Sequence, residues 1–199
     1  MSPRLPTEER QAGIVAAAVR LAQDCSPALI TTADIAQAVG VTQGAVFKHF
    51  PTKDAIWQAV MAWVRDTLLQ RLQAAATNAA TPREALAAVF RTHVEFVIAH
   101  PGVPRLIFHE LQQASESPAR AEVRAVLQGY RKLLLAVLQR AIEQRQAVAD
   151  LDVDAAATGF IGLVQGLVMQ SMLAGRPGAM RQPAEAVLAL YLRGLGGDA

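Results

Sequence analysis

The residues best suited to chemistry lie between positions 42 and 53, and the chemistry they suit is phosphate binding. Lys48, His49 and Lys53 fall in this stretch, and no acidic residue accompanies them. Thr32 and Thr42 stand where two helices could begin, and the backbone N–H groups of a helix N-terminus can bind phosphate oxygens. Together these features favour contact with the backbone of a nucleic acid.

Two short helices must position these residues. The first is expected to begin at Thr32 as its capping residue and to end at Gly40, because glycine readily adopts the positive φ angle that closes a helix. The second is expected to run from the capping residue Thr42 to about His49. Ala36 is small where the two helices must approach closely. Four apolar side chains would form the core between them: Ile35, Val39, Val41 and Val46.

This spacing is typical of a helix-turn-helix whose second helix enters the major groove of DNA. A helical corner in an ordinary bundle would also place apolar residues and one glycine in this way. The cationic, acid-free stretch that follows Thr42 favours the DNA-binding interpretation over the corner.

The rest of the chain predicts helices and no sheet. Of 199 residues, 52% are hydrophobic and only 5% aromatic, and runs of β-branched residues are scarce, which favours packed helices. Helical periodicity recurs in about nine segments, the fourth capped by Thr52. We therefore expect an all-α chain with a three-helix DNA-binding domain at residues 1–53 and a larger helical domain at residues 54–199.

Charge, cysteine content and one histidine pattern limit the class of protein that the chain can be. The formal net charge is only +2, so DNA binding must depend on where the charges sit. Cys25 is the single cysteine, which excludes an intrachain disulfide and a cysteine-rich zinc site. His109 and Glu110 begin a zinc-protease pattern, but no histidine follows at the required spacing. We expect no metal and no cofactor.

One apolar segment, residues 159–175, needs a separate judgement. It is interrupted by Gln165, Gln170 and Ser171 and is shorter than the roughly 18–20 residues that span a bilayer. A buried helix is the better interpretation. Because no signal peptide is visible either, we expect a soluble, cytoplasmic protein with no membrane partner.

Residues 7–65 resemble the TetR (tetracycline-repressor-like) family of transcriptional regulators. The shared signature is Thr32, Ile35-Ala36, Gly40-Val41-Thr42, Phe47, Phe50 and Lys53-Asp54. Beyond these residues the resemblance is one of layout. It implies a dimeric regulator, most often a repressor, with a C-terminal domain that binds a ligand and dimerises.

The resemblance also implies individual DNA contacts. Phosphate contacts would fall on Thr32, Thr42, His49 and Lys53. Base-edge contacts would come from Gln43, Gly44 and Ala45, with Lys48 as a further candidate; a glutamine suits adenine. Phe47 stands where the family usually has a tyrosine, so this ring keeps the packing and lacks the hydroxyl that commonly bonds a phosphate.

Glycines mark a second surface. Gly159, Gly162 and Gly166 recur at helical spacing on one helix face, and each costs the helix up to about 1 kcal/mol relative to alanine. Close approach of another helix explains them, within one subunit or between two. The resemblance favours a dimer interface of four helices, to which Val187, Leu188 and Tyr191 would also contribute. Such a dimer would bind a near-palindromic operator with its recognition helices roughly 34–36 Å apart.

The effector site is expected in the C-terminal domain. His93 lies in an apolar stripe and is either a core residue or a ligand contact; Phe96, Phe108, Tyr130 and Met169 could line the same cavity or simply fill the core. A small hydrophobic or amphipathic effector would suit them. If the effector prefers a conformation in which the spacing of the two recognition helices does not match the operator, its binding must weaken DNA binding by linkage. The resemblance implies a mechanical joint between the ligand pocket and the recognition helix, formed by Phe50, Ile56, Trp57 and Val60.

Other classes of function remain open. An enzyme would need convergent ionisable groups, and the apolar stripes offer only the isolated His93, so we expect no enzymatic activity. A helical protein–protein adaptor explains the bundle but not the surface at residues 42–53. DNA binding could also serve an activator, or a sensor of a protein partner.

Overall fold

The computed structural model describes residues 7–196, and within them all regular structure is helical, which confirms the predicted all-α class. The α-helices are α1 (Thr7–Asp24), α2 (Thr32–Val39), α3 (Gln43–Phe47), α4 (Lys53–Thr77), α5 (Pro82–Ala99), α6 (Gly102–Gln112), α7 (Pro118–Glu143), α8 (Val153–Leu173) and α9 (Arg181–Gly194). A short 3₁₀ helix, Pro177–Met180, precedes α9.

Two compact units divide the chain. The first unit contains residues 7–66 and 100–125, and the second contains residues 67–99 and 126–196. The first unit therefore holds α1–α3, the first half of α4, α6 and the start of α7. This division differs from the predicted boundary between residues 53 and 54, which stays a prediction about the DNA-binding segment.

Local capping explains where the short helices of the first unit begin. Thr31, rather than the predicted Thr32, caps α2: its hydroxyl accepts from the backbone N–H of Asp34 at 3.1 Å, and the Asp34 carboxylate accepts from the backbone N–H of Thr31 at 2.8 Å. This reciprocal pair satisfies two N–H groups that a helix end leaves unpaired. The prediction for Thr32 was wrong because adjacent threonines offer the same hydroxyl, and only Asp34 three residues beyond Thr31 distinguishes them.

Close packing of α6 on α1 is a second feature of the first unit. A Cβ atom on Gly102 would collide with the backbone carbonyl of Val19 and lie about as close to the backbone of Ala22 and Gln23 as atoms are ever found. Only glycine therefore lets α6 begin against the last turns of α1. The buried face of α1 includes Ile14, so the helices that carry the DNA-binding segment share their core with α6.

The second unit is built around α5, α8 and α9. The rings of Phe90 and Phe160 meet edge-on at 5.4 Å, and both are fully buried. Arg83 ties the end of α9 to the α7–α8 link: its guanidinium donates to the carbonyl oxygens of Leu192, Gly196 and Gln146 at 2.5, 3.1 and 3.2 Å. Three backbone acceptors that α9 and the α7–α8 link would otherwise leave unpaired are satisfied by one side chain.

By length and composition, α8 is apolar enough to cross a membrane, with a mean hydropathy of 1.4 over its most apolar window. Of that window, 39% is buried inside the fold, including Phe160, Val164 and Leu167. Because the core helix of a soluble protein has the same length and composition, this helix alone is weak evidence for a membrane span.

Candidate DNA-binding surface

The helix predicted to be the recognition helix, α3, is short and firmly anchored. The Thr42 hydroxyl accepts from the backbone N–H of Ala45 at 3.2 Å, which confirms the predicted cap. Gly40 closes α2 with a φ of 74°, as predicted. Val46 on the inner face of α3 and Ile35 on the inner face of α2 are both fully buried. The helix ends at Phe47 rather than at His49, so Lys48 and His49 lie on the turn that follows it.

The outer face of this segment is polar or cationic. Thr42, Gln43, Gly44 and Lys48 are exposed. Ala45 and His49 are half-buried, and Phe47 has 44% of its surface exposed. Almost half of Phe47 therefore faces solvent, so it fills the packing role expected of it only in part. Because no carboxylate occurs between residues 42 and 53, no negative charge from this segment opposes a phosphate.

Two of the predicted contact residues are bonded to each other. The Gln43 side-chain amide donates to the Thr32 hydroxyl oxygen at 2.6 Å, although the residues are 11 positions apart. Thr32 is the first residue of α2 and does not cap it, so its hydroxyl is available for this contact. Gln43 is thus held in one orientation while its outer edge remains exposed.

Lys53 has a structural partner as well as a charge. Its ammonium donates to the carbonyl oxygen of Ala28 in the α1–α2 link at 3.2 Å and lies 5.7 Å from the centre of the Trp57 ring. Burial lowers the pKa of Lys53, and the neighbouring carboxylates of Asp54 and Asp34 oppose that effect. An ammonium has three N–H donors, so one can bind Ala28 while the others remain for a phosphate.

The structure places the predicted ligand residues in different surroundings. His93 and Tyr130 meet, with the His93 Nδ1 atom 3.2 Å from the Tyr130 hydroxyl. Burial lowers the pKa of His93 to about 4 and raises that of Tyr130 above its usual range. Phe96 is fully buried, with the Arg71 guanidinium 5.6 Å from its ring, whereas Met169 is 43% exposed. Phe108 lies half-buried on α6, in the first unit.

Two further aromatic rings extend the contact from the Tyr130 side of the His93–Tyr130 pair. Phe160 meets the ring of Tyr130 at 6.2 Å and that of Tyr191 at 5.2 Å, both edge-on. The Tyr191 hydroxyl donates to the carbonyl oxygen of Ala156 at 3.0 Å. The sequence missed Phe160 and Tyr191 as neighbours of this pair, because the four residues lie on four different helices and no local pattern reports their contacts.

A separate cleft of about 350 Å³ lies on the second unit between the end of α4 and α7. None of the predicted ligand residues lines it. Lys132 and Arg140 stand at its edge, and Ala76, Leu133 and Val137 supply apolar lining. Sequence periodicity gave no sign of this cleft, since its walls come from helices more than 50 residues apart.

The glycine face of α8 is open within one chain. Apart from the neighbouring backbone of α8 itself, a Cβ atom added to Gly159, Gly162 or Gly166 would meet no atom of residues 7–196 within 4 Å. Close packing inside the subunit, the alternative left open by the sequence, therefore does not explain these glycines. Met169 and Leu173 continue the face with 43% and 82% exposure, and Leu190 on α9 is 61% exposed.

The other residues predicted for a dimer interface are less open. Leu188 is 1% exposed, so its side chain has little surface left for a partner. Val187 and Tyr191 are half-buried. The interface remains a prediction, and the exposed side chain that best fits it on α9 is Leu190.

The fold and this surface define a class: a helical protein with a helix-turn-helix whose second helix presents an exposed, acid-free face. Residues 14–60 match the family model described as bacterial regulatory proteins of the tetR family. Residues 109–187 match the tetracyclin repressor-like C-terminal domain. The chain belongs to the TetR family of bacterial transcriptional regulators.

Individual relatives are distant. The nucleoid occlusion factor SlmA of Actinobacillus pleuropneumoniae is 25% identical over 171 residues, which cover 82% of this chain and 85% of the relative. The fatty acid degradation regulator FadR from Bacillus halodurans superposes with a TM-score of 0.83 at 20% identity, over 99% of this chain and all of that one. FadR from Bacillus subtilis, solved with stearoyl-CoA, gives 0.79 at 22% identity, over 93% of this chain and 99% of that one.

Proposed function

We propose that the protein is a homodimeric repressor, and no enzyme, that binds a near-palindromic operator in the cytoplasm and is released by a small amphipathic effector. The observation that supports it most directly is the surface of α3. Gln43 and Lys48 are exposed there, and no acidic side chain lies between residues 42 and 53. Exposed base-reading and phosphate-binding side chains on one short helix and the turn that follows it are what major-groove recognition requires.

The dimer is supported by the open glycine face of α8. Within one chain these glycines allow no close contact with another helix, and each glycine lowers the stability of α8. Two copies packed through this face would remove its exposed apolar side chains from water. Because such an interface has two-fold symmetry, it would present two copies of α3 to a near-palindromic duplex.

The effector class is supported by the core of the second unit. His93 and Tyr130 are a neutral polar pair, since a histidine with a pKa near 4 is uncharged at pH 7, and the ring of Phe160 packs edge-on against Tyr130. Such a pair can exchange one hydrogen bond with a carbonyl or hydroxyl group but cannot neutralise a charge. An effector with an apolar body would suit this apolar core, and the stearoyl-CoA bound by the Bacillus subtilis regulator supplies a first probe.

An electrophoretic mobility-shift assay on a duplex from the region upstream of the gene tests both parts. We expect a shift that stearoyl-CoA reverses and coenzyme A alone does not. Tyr130→Phe should still shift the duplex and respond at a higher concentration of stearoyl-CoA. If the wild-type protein shifts the duplex but no acyl-CoA releases it, the operator-binding part stands and the effector class is wrong.

A second candidate function follows from the curated relatives. The similarity to nucleoid occlusion factors spans most of both chains, and such a protein would act on the nucleoid rather than on a few promoters. Genome-wide mapping of bound sites separates the two. A repressor predicts few sites close to transcription starts, whereas a nucleoid occlusion factor predicts many sites spread over the chromosome.

A further inference from the structure

The hydrogen bond between Gln43 and Thr32 joins a residue expected to read a base with one expected to bind a phosphate. The amide nitrogen of Gln43 donates to the Thr32 hydroxyl oxygen at 2.6 Å. A primary amide has two N–H donors and one carbonyl acceptor. After one N–H is used by Thr32, the other N–H and the carbonyl oxygen remain. These are the two groups that bind N7 and N6 of adenine together.

The donors and acceptors of the Thr32 hydroxyl can be counted in the same way. A hydroxyl has one donor and two acceptor positions. Since its oxygen accepts from Gln43, its own hydrogen is left to donate, and a phosphate oxygen can only accept. Capping does not compete for this hydroxyl, because Thr31 and Asp34 form the cap of α2 between themselves. Among the described residues no other hydrogen bond is recorded for the Thr32 side chain.

We propose that Thr32 is a specificity-determining positioning residue: its hydroxyl fixes the orientation of the Gln43 amide and links a phosphate contact to the reading of one adenine. This inference rests on the proposed binding of an operator. Donation to a phosphate polarises the hydroxyl, which strengthens the bond that it accepts from Gln43. An amide held in this way presents its donor and acceptor in one fixed order along the groove.

The alternative is that Thr32 binds a phosphate and nothing more. In that case its loss would weaken binding to every duplex by the same factor. A positioning role predicts a different pattern, in which preference at the base pair read by Gln43 is lost as well. The two roles are therefore separated by a ratio of affinities and not by affinity alone.

The experiment uses the full-length protein and a pool of random-sequence duplexes. Selection with the wild-type protein gives a consensus duplex, and Gln43→Ala identifies the base pair at which preference disappears. Binding is then measured by fluorescence anisotropy on the consensus and on the three duplexes that change this base pair. The variants are Thr32→Val, which has the same shape without a hydroxyl, Thr32→Ser, which keeps the hydroxyl, and the double variant Thr32→Val/Gln43→Ala.

The wild-type protein should prefer its base by about 5- to 150-fold, the range for a bidentate contact. Thr32→Val should lower that preference by about 2- to 10-fold, the effect of losing one neutral hydrogen bond, and should leave preferences elsewhere intact. Thr32→Ser should restore it. In the Gln43→Ala background, Thr32→Val should lower affinity without changing any preference.

If Thr32→Val lowers the affinity for all four duplexes by the same factor, the inference is overturned and operator binding stands. Failure of Thr32→Ser to restore the preference would overturn it too. If the wild-type protein selects no sequence from the pool, the proposed function itself fails, and this inference fails with it.

Discussion

Gly162→Leu should have opposite effects on the subunit and on the dimer. Within one chain an added Cβ atom at this position meets open space, and leucine is a better helix former than glycine by up to about 1 kcal/mol. The isolated subunit should therefore be unchanged or slightly more stable. If α8 packs against α8 of a second copy, however, the leucine occurs twice at one interface. Overpacking costs about 1–3 kcal/mol per site, so dissociation should become at least about 30-fold easier.

Sedimentation velocity over a concentration series measures this shift, and circular dichroism in a dilute sample checks that the subunit remains folded. Gly13→Ala is the matched control, because Gly13 also lies in a helix and faces open space, but on α1. That variant should gain helix stability and dimerise as the wild type does. If Gly162→Leu sediments as the wild-type dimer at every concentration, the glycine face of α8 is not the interface.

Three further predictions follow from the two units. Lys53→Ala should weaken binding to all duplexes and lower by about one the slope of log affinity against log salt concentration. It should also lower the free energy of unfolding by about 0.5–1.5 kcal/mol, because the bond to Ala28 is lost. Lys48→Ala, which changes an exposed side chain, should leave stability unchanged, and equal destabilisation by both variants would contradict this. Gly102→Ala should lower the free energy of unfolding by about 1–3 kcal/mol in urea denaturation, since its methyl group collides with the backbone of α1; wild-type stability would show that α6 does not pack there. His93 has a folded pKa near 4, below its unfolded value. Because the unfolded chain binds more protons between these two pKa values, the free energy of unfolding should fall by up to about 3 kcal/mol as the pH drops from 6.5 to 4. His93→Gln should lack this part of the loss, and identical pH profiles for the two proteins would refute the prediction.

Sequence alone predicted what depends on neighbours along the chain. Gly40, Thr42 and Thr52 act within one helical turn of their own positions, and each caps a helix as expected. The same local logic failed at Thr32, where the true cap is one residue earlier. A check for an acidic residue three positions beyond each threonine would have selected Thr31, because Asp34 completes the reciprocal cap.

Contacts between distant positions left no local signal. The bond from Lys53 to Ala28 spans 25 positions, and the bonds from Arg83 to the end of α9 span more than 100. Residue type predicted a phosphate contact for Lys53, but only the folded chain shows that it also ties down the α1–α2 link. The glycine spacing on α8 was visible in the sequence, whereas its openness within one chain depends on how α9 packs beside it.

Methylation interference on the duplex selected by the wild-type protein tests most directly whether α3 enters the major groove of DNA. Dimethyl sulfate methylates guanine N7, which lies in that groove, so a methyl group should block binding wherever α3 inserts. A dimer predicts two clusters of interference whose centres lie about 10 base pairs apart on one face of the duplex. Binding that tolerates methylation at every guanine N7, or interference confined to the minor groove, would contradict this account.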